Sequence, residues 1–237
     1  MSYNCVLLDF DETLVSFSQS EKIAVTKVYN KYNIPATEEN IQYYHQENEK
    51  LWRDFEKGKI KKKDIEKTRF QKVINKFGIT GVTGDAMNRD YLNYLKNSAI
   101  LLDGAMEFLE DIEDYATIAI VTNGIDAVQQ NRLKLSRVID FADGVFTSEK
   151  VGYNKPDKRI FLNALKTLGV ENYKKVLVVG DNLHSDIKGG ISAGLDTCWV
   201  NFNNEENTTN IRPTYTALDF TQLKNIILGE NYENIKK

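Results

Sequence analysis

The chain has 237 residues, 41% hydrophobic and 27% charged, enough to bury a sizeable core as one large domain or one domain with an insert. With 31 Lys and Arg against 34 Asp and Glu the net charge is −3, which argues against a nucleic-acid polymer as partner, and no run approaches the 18 apolar residues of a membrane span. The N-terminus does not read as a secretory leader, and two cysteines in apolar runs, Cys5 and Cys198, read as reduced, buried thiols of a cytoplasmic protein.

In chain order, Cys5–Phe10 is a nearly continuous apolar run, the pattern of a strand buried on both faces of a parallel sheet. Ser18 and Glu21 have capping-box spacing ahead of a helix with Val25, Val28 and Tyr32 on one face. Pro35 interrupts, and Thr37 can cap a second helix through Trp52 and Phe55. A third helix carries Phe70, Val73, Ile74 and Phe77 and stops at Gly78; a fourth holds Met87, Tyr91, Tyr94 and Leu95. Four helical patterns with no strand between them predict an all-helical insert over 16–98. It carries 16 Lys and Arg against 11 Asp and Glu, a net of +5, inside a remainder of net −8.

After Asp103 the pattern changes. A helix through Phe108, Leu109 and Ile112 leads to a strand over Ala116–Val121, which ends at Thr122-Asn123-Gly124. A helix over Ala127–Leu135, a short strand near Gly144–Phe146 and a helix over Lys158–Leu168 follow, then the strand Lys175–Val179. A helix ending at Gly194, a strand over Thr197–Val200 and a last helix near Thr221–Leu228 complete the chain. Strands alternating with amphipathic helices predict an α/β fold with a doubly wound parallel sheet, formed by 1–15 and 99–237 around the helical 16–98 domain.

In such a sheet, ligands bind beyond the carboxyl ends of the strands. Those ends carry Asp9 and Asp11, then Thr122 and Asn123, then Asp181 and Asp186, with Lys155 in the loop Gly152–Asp157. Four carboxylates on one edge repel one another unless a cation neutralises them, and all-oxygen ligands suit Mg²⁺. One lysine with hydroxyl and amide donors is what a phosphoryl group needs, and an Asp in such a place is a candidate nucleophile. His184, between Asp181 and Asp186, reads as a loop surface residue, and His45 as a solvent-facing one.

Read together, Asp9-Phe10-Asp11-Glu12-Thr13-Leu14, Thr122-Asn123-Gly124, Lys155 in Asn-Lys-Pro-Asp, and Gly180-Asp181-Asn182-Leu183-His184-Ser185-Asp186 resemble the four motifs of the haloacid dehalogenase (HAD) superfamily, in order. The second acid, Asp11, points to its phosphatase branch, and the insert resembles that superfamily's helical cap. Leu51–Phe55 with Gly58, Arg69-Phe70, Gln129-Gln130, Arg132-Leu133, Gly189-Gly190-Ile191 and Thr197-Cys198-Trp199 further resemble the YjjG-type pyrimidine 5′-nucleotidases, over nearly the whole chain.

The resemblance implies Asp9 as nucleophile, forming an aspartyl-phosphate, and Asp11 as acid and base. It also implies Mg²⁺ held by the Asp9 carboxylate, the Asp11 backbone carbonyl and Asp181, with Asp186 behind them. Thr122, the Asn123 amide, Gly124, Lys155 and the Phe10 backbone amide would receive the phosphoryl oxygens. Trp52 and Arg69 of the insert are the candidate specificity residues. The expected substrate is a nucleoside 5′-monophosphate or similar phosphate monoester, the expected assembly a monomer or weak homodimer. A sugar phosphate or acylneuraminate 9-phosphate would be served by the same motifs. A receiver-like module, phosphorylated on Asp9 without turnover, is a third reading, disfavoured by chain length and by Asp11.

Overall fold

The structure, a computed structural model, describes residues 2–229. Its contacts divide the chain into two compact units, Met1–Ser16 with Leu101–Lys237, and Phe17–Ile100. The expected core domain, 1–15 with 99–237, includes Met1 and 230–237, which lie outside the described residues.

The first unit is built on a six-stranded, wholly parallel sheet in the order β3-β2-β1-β4-β5-β6. The strands are β1 (Cys5–Leu8), β2 (Thr117–Thr122), β3 (Gly144–Thr147), β4 (Val176–Gly180), β5 (Asp196–Val200) and β6 (Tyr215–Ala217). β1 lies between β2 and β4. The chain winds outward from β1 in one direction to β3, then returns to β4 on its other side, which opens a crevice at the carboxyl end where the winding reverses.

Because side chains alternate along a strand, β1 supplies both faces: Val6 and Leu8 join one buried cluster, Cys5 and Leu7 the other. The first face is covered by α5 (Ala105–Ile112) and α10 (Phe220–Leu228), through Phe108, Leu109, Leu223 and Ile227. The second is covered by α8 (Lys158–Thr167), through Ile160, Phe161, Ala164 and Leu165. Cys5 and Cys198 are free and buried; burial pushes the Cys5 thiol up to about 12 and the Cys198 thiol higher still, which keeps both protonated. Val15 pairs with Leu101 in an antiparallel bridge, and the Leu102 amide donates to the Leu14 carbonyl at 3.0 Å.

The second unit contains α1 (Phe17–Lys31), α2 (Glu38–Glu56), α3 (Lys62–Phe77) and α4 (Gly84–Leu95). Thr37 caps α2, its side chain accepting from the Asn40 amide at 3.3 Å, and Gly78 closes α3 in the left-handed conformation. Tyr44, Phe70 and Tyr91 pack as an aromatic core with ring centroids 4.9–5.6 Å apart.

Several local expectations are corrected. α1 starts at Phe17, so Ser18 lies inside its first turn, and Glu21 is a buried acceptor at 2.7 Å for Asn48 Nδ2. His45 is not merely solvated, since its Nδ1 meets Glu21 Oε2 at 2.7 Å. The short edge strand β6 and the one-turn helix α7 (Ser148–Val151) were not anticipated. The segment after β4 is a π-helical turn, Leu183–Ile187, running into α9 (Lys188–Ser192).

No helix among the described residues is long and apolar enough to cross a membrane.

Candidate active site

Asp9 follows β1 directly, and its amide still donates to the Val179 carbonyl of β4 at 2.9 Å. The backbone of the first acid is thereby fixed to the strand that carries the next one. Asp181 follows β4; its carbonyl accepts from Trp199 Nε1 at 2.7 Å, and its Oδ1 is 3.5 Å from Thr13 Oγ1. The π-helical turn folds Asp186 back against the sheet, where it is 1% exposed. Its Oδ2 accepts from the Asn182 amide at 3.2 Å and the Ser185 hydroxyl at 3.3 Å. A Cβ on Gly180 would stand 2.3 Å from the Asp186 carboxyl carbon, so only glycine admits this approach.

Asp9, Asp181 and Asp186 each bring a carboxylate oxygen within 4.8 Å of the others. Lys155 Nζ lies among them, 2.7 Å from Asp9 Oδ1 and 2.6 Å from Asp186 Oδ1. The lysine is 2% exposed and its backbone is clamped by the Asn123 side chain: Oδ1 accepts from the Lys155 amide at 2.9 Å, and Nδ2 donates to its carbonyl at 3.0 Å. The Lys155–Pro156 bond that follows is cis.

Burial pushes the Asp9 carboxyl up to about 7, against the pull of Lys155 and with further upward push from Asp186 and Asp11. Asp181 is raised well above the usual carboxylate range, chiefly by burial and then by Asp9 and Asp186. Lys155 is held above its ordinary value by Asp186 and Asp9, which outweigh its own burial. Three carboxylates with one ammonium sum to two negative charges in an all-oxygen cage. That donor set fits a hard divalent cation, and without one burial drives Asp9 and Asp181 toward protonation.

Asp11 sits two residues beyond Asp9 with its side chain one-quarter exposed. Its Oδ1 accepts from Arg132 Nη1 at 2.5 Å and its Oδ2 from Gln129 Nε2 at 2.8 Å. Thr122, at the end of β2, accepts at Oγ1 from the Gly124 amide at 3.0 Å and from Gln129 Nε2 at 2.9 Å. Gly124 itself leaves room for Gln129, whose Nε2 would be 2.4 Å from a Cβ there. Phe10 is fully buried, with the Arg132 guanidinium 5.2 Å from its ring centroid. Strand-end reasoning assigned no role to Gln129 or Arg132; the available signal was their three-residue spacing on α6 (Asp126–Leu135), directly after Thr122-Asn123-Gly124.

Trp52 and Arg69 belong to the helical unit. Trp52 is half-buried and packs edge-to-face on Phe55 at 5.7 Å. Arg69 is 2% exposed, donates from Nε to Asn88 Oδ1 at 2.7 Å and lies 4.4 Å from the Tyr91 ring centroid. His184 is exposed on the surface of the π-helical turn, as its sequence setting suggests.

Residues 3–194 match the haloacid dehalogenase-like hydrolase family. The chain is 34% identical to the pyrimidine 5′-nucleotidase YjjG of Escherichia coli over 96% of this chain and 99% of that protein. It is 33% identical to the pyrimidine 5′-nucleotidase PynA of Streptococcus pneumoniae over 94% of each. The crystal structure of the putative HAD-hydrolase YfnB of Bacillus subtilis, described as bound to magnesium, superposes with a TM-score of 0.90 at 32% identity, over 96% of this chain and 99% of that one. With the family matched over most of the chain and nucleotidases aligned end to end, this protein belongs to the haloacid dehalogenase-like hydrolases and is a phosphoric monoester hydrolase.

Proposed function

We propose that the protein removes the 5′-phosphate of nucleoside monophosphates, pyrimidine ones foremost, through an aspartyl-phosphate on Asp9 and with Mg²⁺ as cofactor. The observation that carries this reading is the convergence of Asp9, Asp181, Asp186 and Lys155 at the carboxyl edge of the sheet. The full-length likeness to two pyrimidine 5′-nucleotidases supports the substrate class. Membership of a hydrolase family sets aside the receiver-like alternative.

Asp9 attacks phosphorus in line, and the P–O bond to the nucleoside breaks as Asp11 gives its proton to the departing oxygen. Asp11 then takes a proton from the water that attacks the aspartyl-phosphate, which releases inorganic phosphate and restores Asp9. Lys155, the Thr122 hydroxyl, and the amides of Phe10 and Asn123 receive the phosphoryl oxygens, while the Gly124 amide, expected to join them, is committed to Thr122 Oγ1 at 3.0 Å. The Asp9 carboxylate, the Asp11 backbone carbonyl and Asp181 would hold Mg²⁺, with Asp186 steadying the set and Lys155. When bound, the cation supplies positive charge against the crowded phosphoryl and carboxylate oxygens. The helical unit tunes substrate preference, Trp52 by its half-exposed ring and Arg69 through the packing of its own helix. Free, buried thiols support a reducing, cytoplasmic setting.

The test is phosphate release from a panel of nucleoside monophosphates and sugar phosphates, with Mg²⁺ and with EDTA. Pyrimidine nucleotides should lead, and chelation should abolish turnover. Preference for a sugar phosphate would overturn the nucleotide assignment, and undiminished activity after exhaustive chelation would overturn the metal assignment.

A further inference from the structure

We infer that Gln129 and Arg132 are positioning residues that hold the Asp11 carboxylate and the Thr122 hydroxyl in their working orientation; the inference rests on the acid/base role proposed for Asp11. Three residues apart on α6, the two side chains share a helix face that is turned inward, 1% and 0% exposed. Burying a guanidinium is expensive unless a partner of opposite charge meets it, and Asp11 is that partner at 2.5 Å. The Gln129 amide divides its two hydrogens, one to Asp11 Oδ2 at 2.8 Å and one to Thr122 Oγ1 at 2.9 Å, while its Oε1 accepts from Arg132 Nη1 at 3.0 Å. One amide thus joins the group that moves the proton to a group that receives the phosphoryl oxygen.

The consequences differ for the two ends of this link. Thr122 Oγ1 already accepts two N–H donors, from Gly124 and Gln129, so its own hydrogen is left to donate. Asp11 keeps lone pairs beyond the two it gives to Arg132 and Gln129, and its side chain remains one-quarter exposed and open to the leaving oxygen. Gln129 and Arg132 move no proton themselves; they fix the rotamer from which Asp11 does so.

The test compares Gln129→Met and Arg132→Lys with the wild type and Asp11→Asn, all as Mg²⁺-loaded full chains. The readouts are kcat/KM for uridine 5′-monophosphate and for p-nitrophenyl phosphate, inhibition by inorganic phosphate, and melting temperature. Because kcat/KM covers the steps up to loss of the leaving group, it isolates the first proton transfer. A nucleoside oxygen needs that proton and p-nitrophenolate does not, so the ratio of the two constants should fall roughly 10-fold or more in both variants. Gln129→Met should also weaken inhibition by phosphate, through Thr122, while Arg132→Lys should not. Parallel losses on both substrates, with an unchanged ratio, would mean a purely structural pair and overturn the inference. If Asp11→Asn shifts the ratio and neither neighbour does, positioning alone is overturned. If Asp11→Asn leaves the ratio unchanged, the acid/base reading fails and this inference falls with it. Should Arg132→Lys not fold, Gln129→Met decides.

Discussion

Asp9 and Asp11 are two residues apart, yet the structure surrounds them differently, and their substitutions should fail differently. Under the proposed mechanism Asp9→Asn removes the nucleophile, so turnover should cease with every ester. Asp11→Asn keeps the nucleophile but should give a stoichiometric burst of p-nitrophenol followed by near silence, with a base-labile phosphate on Asp9; rapid-quench kinetics reads both, and a burst from Asp9→Asn would exchange the roles. Burial pushes Asp9 up to about 7, well above the ordinary carboxylate value of about 4. Between those values the folded, metal-free protein holds a proton that the unfolded chain has released, so its stability should fall as pH rises through that window. The melting temperature of chelated protein should therefore drop between about pH 4 and about pH 7, and the gain from added Mg²⁺ should be larger at the upper end of that window. A gain independent of pH would contradict the carboxylate cage. The acids were legible in the sequence because each stands where an apolar strand ends. Gln129 and Arg132 stood out only through the family resemblance and with no role attached, because polar residues on a helix look alike whether they face water or a buried carboxylate.

At the scale of elements, the turn after β4 shows what periodicity alone misses. An apolar strand followed by Gly180-Asp181 announces a loop, but not that five residues wind as a π-helix and return Asp186 to the sheet. Gly180→Ala tests that return, since the added Cβ would overlap the Asp186 carboxyl group. We expect a loss of about 1–3 kcal/mol in chemical denaturation together with weakened divalent-cation binding by calorimetry. Wild-type cation affinity in this variant would show that Asp186 does not need its close seat. Glu21 gives the complementary lesson in the helical unit. Its spacing from Ser18 imitates a cap, whereas its carboxylate lies 2% exposed against His45 and Asn48. Glu21→Ala should cost about 1.5–3 kcal/mol in urea unfolding, the range for a buried charged acceptor; a cost near zero would leave the pairing without energetic weight. β6 escaped detection because three residues, Tyr-Thr-Ala, are too few to show a period.

For the whole molecule, strand and helix order was readable because buried parallel strands are continuous apolar runs. The order of strands across the sheet was not, since β1 pairs with strands more than 100 residues away in sequence. Substrate choice belongs to this scale too: Trp52→Ala should reorder preference among nucleotide and sugar phosphates while changing p-nitrophenyl phosphate hydrolysis far less. Steady-state constants for the panel check this, and equal losses throughout would deny Trp52 a part in selection. The antiparallel bridge between Val15 and Leu101 carries a further consequence. It ties together the points where the chain leaves the sheet and comes back, so whatever is threaded between them is a closed loop, and the entropy of closing a loop grows only with the logarithm of its length. Doubling the intervening segment would add only about 0.6 kcal/mol. The sheet therefore offers a socket whose closure is nearly indifferent to the length of chain plugged into it.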